Sequence, residues 1–114
     1  MEQWPKHIQI LCARYAVRYV PILVCDAKHM RGLIDHTERT VKVGTSEGTG
    51  EPCPSNAVFD CLLHEVIHGI NEEVPLLRDC LREGTEETFV GSLAAVLAKT
   101  LVESGIVILP KERP

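Results

Sequence analysis

An α+β fold is the expectation for this 114-residue chain. It would be a small N-terminal antiparallel sheet of three to four strands, packed on a central helix and a long C-terminal helix. Three observations predict it. Before residue 43, apolar and polar residues alternate with the period of strands. After residue 55, apolar residues recur at spacings of three and four, the period of helices. Between these halves lies a stretch rich in Gly, Ser and Pro, which reads as a loop. The length and the 45% hydrophobic content suit one globular domain. Its parts are a β-rich segment at 6–43, a loop at 44–54, a helical segment at 55–104 and an apolar tail at 105–114.

The strands follow in order. Residues 7–11 place Ile8 and Ile10 on one side. Tyr15, Val17 and Tyr19 alternate with Ala16 and Arg18, as in a half-buried strand. Residues 12–14 make a tight connection, and Pro21 limits the second strand. Residues 25–29 read as a polar loop. Residues 31–35 and 40–43 give a third and fourth strand, joined by a hairpin turn at 36–39.

The helices come next. Ser55 or Asn56 is positioned to cap a helix after Pro54, and Pro75 stops it, so it spans about 55–73. Val58, Phe59, Leu62, Leu63, Val66, Ile67 and Ile70 make it apolar on more than one face, so it should be buried. A short helical turn is expected over 75–82, broken at Gly84. Thr85 then caps the last helix, with Glu86 and Glu87 in the first turn, where carboxylates suit the helix dipole. Val90, Leu93, Ala94, Leu97 and Leu101 form its core stripe. Gly105 fits its end, and the apolar residues at 106–109 should pack back on the core.

The buried helix carries His64-Glu65-Val66-Ile67-His68, a H-E-x-x-H pattern. His64 and His68 are i and i+4, so one helical face presents both imidazoles, with Cβ atoms roughly 5–6 Å apart. Two nitrogens so placed can grip one tetrahedral Zn²⁺. Glu65 lies on the same rim and can take a proton from the water that the metal activates. The competing reading is two core histidines bonded to carbonyls, with Glu65 in an ion pair.

A catalytic zinc site needs three protein ligands and one open position. A third histidine six residues after His68 is excluded, because that position is Val74, and Asn71 stands where a glycine would precede it. A carboxylate from the last helix is the alternative. Helical facing favours Glu87, which shares the stripe of Val90 and Ala94, over Glu86. Glu83, Glu72, Glu73 and Asp79 stay open as further candidates. For the oxyanion or another substrate contact the candidates are His36 and Tyr19, with His29, His7 and Tyr15 behind them. His36 follows Asp35 in a hairpin and should be exposed and mobile.

Composition excludes several classes. The net charge is −4 with Lys and Arg dispersed, so no nucleic-acid partner is expected. The apolar runs are too short to span a bilayer, and the first residues lack the order of a signal peptide. A cytoplasmic home is the expectation; the oligomeric state is not legible. The five cysteines form no C-x-x-C pair. Cys61, three residues before His64, is the one that could lie near the metal.

These motifs together resemble the minimal zinc metallopeptidases of phages and prophages, similar to the ImmA/IrrE-type peptidase domain. The resemblance rests on residues 15–20, 32–36 and 39–43, on the H-E-x-x-H helix, and on Glu87 with Val90, Leu93 and Ala94. It implies a gluzincin-like hydrolase acting on a peptide or protein in the cytoplasm of a bacterial host. It also implies Zn²⁺ held by His64, His68 and Glu87, with Glu65 as general base. The loop at 44–54 and the five cysteines depart from the family pattern. The alternative is a non-catalytic, zinc-stabilised interaction module of the same origin.

Overall fold

The strand β1 (His7–Ile10) pairs antiparallel with β2 (Ala13–Val20) through a two-residue turn in which Leu11 takes φ +52°. Along β2, Ala13, Tyr15 and Val17 are buried while Arg14 and Arg18 are exposed, as the period of two requires. Pro21 ends β2 at Val20. In this computed structural model, which describes residues 3–25, 28–74, 77 and 84–114, two short strands follow. They are β3 (Leu23–Cys25) and β4 (Lys28–Met30), an antiparallel pair where a loop was expected. Three-residue strands are too short to leave a periodic signal. The expected turn at 75–82, with Asp79, and the candidate Glu83 lie outside the described residues, Leu77 apart.

Then β5 (Gly32–Asp35) and β6 (Thr40–Gly44) form a hairpin, and β6 inserts beside β2. The sheet order is β1-β2-β6-β5. The β2–β6 pair is parallel, with Val17 opposite Val41 and Tyr19 opposite Val43. The fold class is α+β as expected, but the sheet is mixed rather than antiparallel. Alternation fixes which side chains face inward; it carries no information on strand direction.

The helix α1 (Ser55–Glu73) lies across the sheet. Pro54 occupies the N-cap position with no side-chain cap, so neither Ser55 nor Asn56 caps it; the Ala57 and Val58 amides donate to the Pro54 carbonyl instead. Val58, Phe59 and Leu62 share one apolar core with Trp4, Tyr15, Val17, Val41 and Val43. The approach to the sheet is close at Gly69. A Cβ there would stand 2.6 Å from Ile10 Cδ1 and 3.0 Å from Ile34 Cδ1, so the ends of both side chains would have to shift to admit one.

The helix α2 (Glu86–Glu103) packs on the opposite side of α1. Thr85 sits at its N-cap position without a side-chain cap bond. The seam is narrow: Val90 and Ala94 meet Ile67, with Leu63 beside them. Leu93, expected in the core stripe, is exposed. Small residues let the helices approach closely, and only a thin strip of α2 is then needed to seal them. Gly105 at φ +73° ends α2. Beyond it Val107 and Leu109 are half-buried while Ile106 and Ile108 are exposed. Trp4 Nε1 donates to the Glu112 carbonyl at 2.8 Å, tying the two termini together. The loop at 44–54 folds on itself through backbone bonds, Glu47 to Glu51 and Cys53 to Thr45. No helix among the described residues is long and apolar enough to cross a membrane.

Candidate metal centre

His64 and His68 sit one turn apart on α1, with ring centroids 4.9 Å apart and Nε2 atoms 3.2 Å apart. Glu87, in the first turn of α2, reaches both. Its Oε1 is 2.6 Å from His64 Nε2 and its Oε2 is 2.9 Å from His68 Nε2. One ligand atom from each residue lies within 4.8 Å of the others. A tetrahedral ion bonded at about 2.0–2.1 Å holds its ligand atoms roughly 3.3 Å apart. The separations of 2.6, 2.9 and 3.2 Å among the two ring nitrogens and two carboxylate oxygens thus already stand within 1 Å of that spacing. Only a cation, or protons on the rings, reconciles four such acceptors at one point. The donor set of two imidazoles and a carboxylate fits zinc.

The outer nitrogen of His68 has a partner of its own. Its Nδ1 lies 2.7 Å from Glu86 Oε2. A carboxylate only accepts, so Nδ1 carries a hydrogen, and Nε2, facing Glu87, is the nitrogen turned towards the metal position. The other Glu86 oxygen accepts from Asn71 Nδ2. Glu86, the alternate third ligand, therefore lies on the side of His68 away from the Nε2 pair, where it orients the ring. Asn71, near the end of α1, is 4% exposed and its Oδ1 has no partner. Its signal was in the sequence: it stands three residues after His68, on the same helical face.

Glu65 is 7% exposed. Burial is the main force raising its carboxyl above the ordinary range; His68 and His64 pull it down, and Glu87 adds to the rise. It lines an open cavity of about 760 Å³ with His64, His68 and Glu87. The cavity floor includes β5, and here Gly32 is required. A Cβ on Gly32 would lie 2.7 Å from Cys61 Sγ and 2.9 Å from both Cγ and Oε1 of Glu65. Sequence reasoning missed Gly32, because an isolated glycine in a strand does not say what approaches it.

The remaining candidates separate. Cys61 lines the cavity, but its thiol donates to the Arg31 carbonyl at 2.8 Å, and burial pushes it up to about 12. It is a neutral core thiol outside the group that converges on Glu87. His36 lines the cavity and is half-buried rather than exposed; its Nδ1 lies 3.3 Å from Tyr15 Oη. His29 lines the cavity as well. Tyr19 does not: its hydroxyl donates to the Pro5 carbonyl at 2.7 Å and its ring packs edge-on against Trp4. Period-2 facing put Tyr19 on the buried side of β2, which is correct, but that face ends in the core under Trp4. Glu73 is engaged by Arg39 at 3.3 Å and by Tyr15. No residue of the loop at 44–54 lines the cavity among the described residues.

Comparison with protein-family models, with curated proteins and with solved structures returned no match.

Proposed function

We propose that this chain is a zinc-dependent peptidase, with His64, His68 and Glu87 as metal ligands and Glu65 as general base. The observation that carries the reading is the convergence of both Nε2 atoms on the Glu87 carboxylate at the wall of an open cavity, with Glu65 buried beside them. A closed structural zinc site has no use for a cavity or for a buried, unligated carboxylate.

Zinc in this position would supply Lewis acidity, acidifying a water and polarising a carbonyl. The chain supplies the rest. Glu65 takes the proton of the attacking water and returns it to the leaving amine. Its raised proton affinity, caused by burial, suits it to hold that proton between the two steps. Glu86 and Asn71 hold the His68 ring so that Nε2 faces inward.

The substrate class follows from β5. It is the edge strand of the sheet, and Gly32, Leu33 and Ile34 line the cavity. An edge strand offers a ladder of main-chain donors and acceptors to an extended peptide. This supports a peptide rather than a small ester or sugar.

The test has two arms. Metal analysis of untagged protein should find one zinc per chain, lost in His64→Ala. A peptide library should be cut by the zinc-loaded protein and left intact by Glu65→Gln at unchanged zinc content. Zinc without any cleavage would make the site a structural one in an interaction module, and no zinc would end both readings.

A further inference from the structure

The cavity has a second polar arm, away from the metal ligands, and its hydrogen-bond directions can be worked out. Tyr15 is fully buried, with its hydroxyl 3.0 Å from Glu73 Oε1 and 3.3 Å from His36 Nδ1. A phenol has one hydrogen. Glu73 can only accept it, since its carboxylate also pairs with Arg39 at 3.3 Å. The Tyr15 oxygen must then accept from His36, so His36 Nδ1 carries the hydrogen. That leaves the lone pair of the neutral ring on Nε2. Nδ1 faces the core through Tyr15, so the far edge of the ring faces the cavity that His36 lines.

The turn that carries His36 is fixed from both ends. Asp35 Oδ1 accepts from the amides of Thr37 and Glu38 at 3.0 and 2.9 Å. Arg39 takes φ +54°, and its guanidinium lies 5.6 Å from the Tyr15 ring centroid. Tyr15 thus holds the His36 ring by its hydroxyl and by an edge-on ring contact, on a turn that Asp35 fixes. Glu73 lies five residues beyond His68 on α1, about 7.5 Å further along the axis. His36 also directly follows the edge strand β5.

We propose that His36 is a substrate-binding residue whose Nε2 accepts a hydrogen bond from an N–H group of a peptide lying along β5, with Tyr15 and Glu73 positioning the ring. This rests on the peptidase reading. The recognised chemistry is a nitrogen donor, either a main-chain amide or a free terminal amine. Because the contact lies away from the reacting bond, it acts on binding of ground state and transition state alike, and so on KM.

Two measurements test it. Nitrogen-15 correlation spectra of the histidine rings at pH 8 should show His36 protonated on Nδ1 and bare on Nε2, with that preference lost in Tyr15→Phe. A wild-type ring protonated on Nε2 overturns the proposal whatever the protein cleaves. In peptide hydrolysis, His36→Ala should raise KM about 5- to 10-fold, the worth of one hydrogen bond, and leave kcat within about threefold. His36→Gln, whose amide reaches the position of Nε2, should restore most of the loss. His36→Asn, which reaches only Nδ1, should not. Equal KM in wild type and His36→Ala overturns the proposal while the peptidase reading stands. Absence of any cleavage by the wild type defeats the peptidase reading, and the substrate part of this proposal with it. Acetylating the peptide terminus distinguishes the two donors, since the effect of His36→Ala vanishes only if the free amine is the group bound.

Discussion

The two faces of α1 are built on opposite principles. Towards the sheet, Val58 and Leu62 share an apolar core with Tyr15, Val17, Val41 and Val43. Towards α2, one apolar seam is Ile67, Val90 and Ala94, with Leu63, and further along Ala98, Leu101 and Val102 join the main core beside Phe59. At the start of α2 the interface is polar instead, with His64, His68 and Asn71 against Glu86 and Glu87. The first face is stabilised by burial and needs nothing from solution. The second gathers acceptors that repel one another until a cation or protons arrive. One helix therefore joins an apolar layer to a layer whose first turns meet it through polar groups.

The largest expected effect is on the sheet face. Leu62→Ala removes a side chain that is 3% exposed in that core, which should cost about 2–5 kcal/mol. Denaturant unfolding with and without zinc measures it. The loss should be the same in both conditions. A loss that changes with zinc would mean that the two faces are not independent.

Zinc withdrawal should act on the other face. With free zinc about 1,000-fold above Kd, bound metal adds about 4 kcal/mol to the stability of the folded state. Chelation should lower the Tm accordingly. Hydrogen exchange should then rise first in the opening turns of α2, around Glu86 and Glu87, with β2 and β6 still protected. Uniform loss of protection would break the comparison, and no change in Tm would remove the metal from it.

The same division governs what could be read from sequence. His64, Glu65 and His68 were legible because a five-residue pattern on a helix fixes its own geometry. Glu87 was reachable by helical facing, since α2 has one narrow contact stripe. The role of Glu86 was not, because its partner is the outer nitrogen of His68, and which nitrogen a carboxylate meets depends on how far α2 is rotated. The buried face of β2 and β6 was legible from alternation. Their parallel pairing was not, since it follows from the β5–β6 hairpin turning back into the sheet. Gly32 was invisible for a related reason: what excludes a side chain there is Cys61 and Glu65, roughly 30 residues away in the chain.

Glu86→Gln sharpens the metal side by separating a ligand from an orienting residue. One accepting oxygen becomes a donor, facing either His68 Nδ1 or Asn71 Nδ2. Loss of such an outer partner weakens metal binding about 10- to 100-fold. Competition with a chelator of known affinity measures it. Glu87→Gln should cost more, since it removes an inner ligand. Equal losses would put both glutamates on the metal.

Tyr19→Phe is the mildest test, and it returns to the sheet face. The lost bond to the Pro5 carbonyl should cost about 0.5–1.5 kcal/mol at pH 7. Cleavage should be untouched, because Tyr19 is not among the residues lining the cavity. The pH dependence gives the sharper readout. Burial raises the Tyr19 phenol above its ordinary value of 10.0, so the folded chain keeps a proton that the unfolded chain releases. Above pH 10 the unfolded state binds fewer protons than the folded state, and wild-type stability falls as pH rises. The phenylalanine variant lacks that loss, so its deficit should shrink between pH 10 and 11 in urea unfolding. A deficit that stays constant would mean that the phenol ionises as readily in the folded chain as in the unfolded one, and that this part of the sheet face is wet.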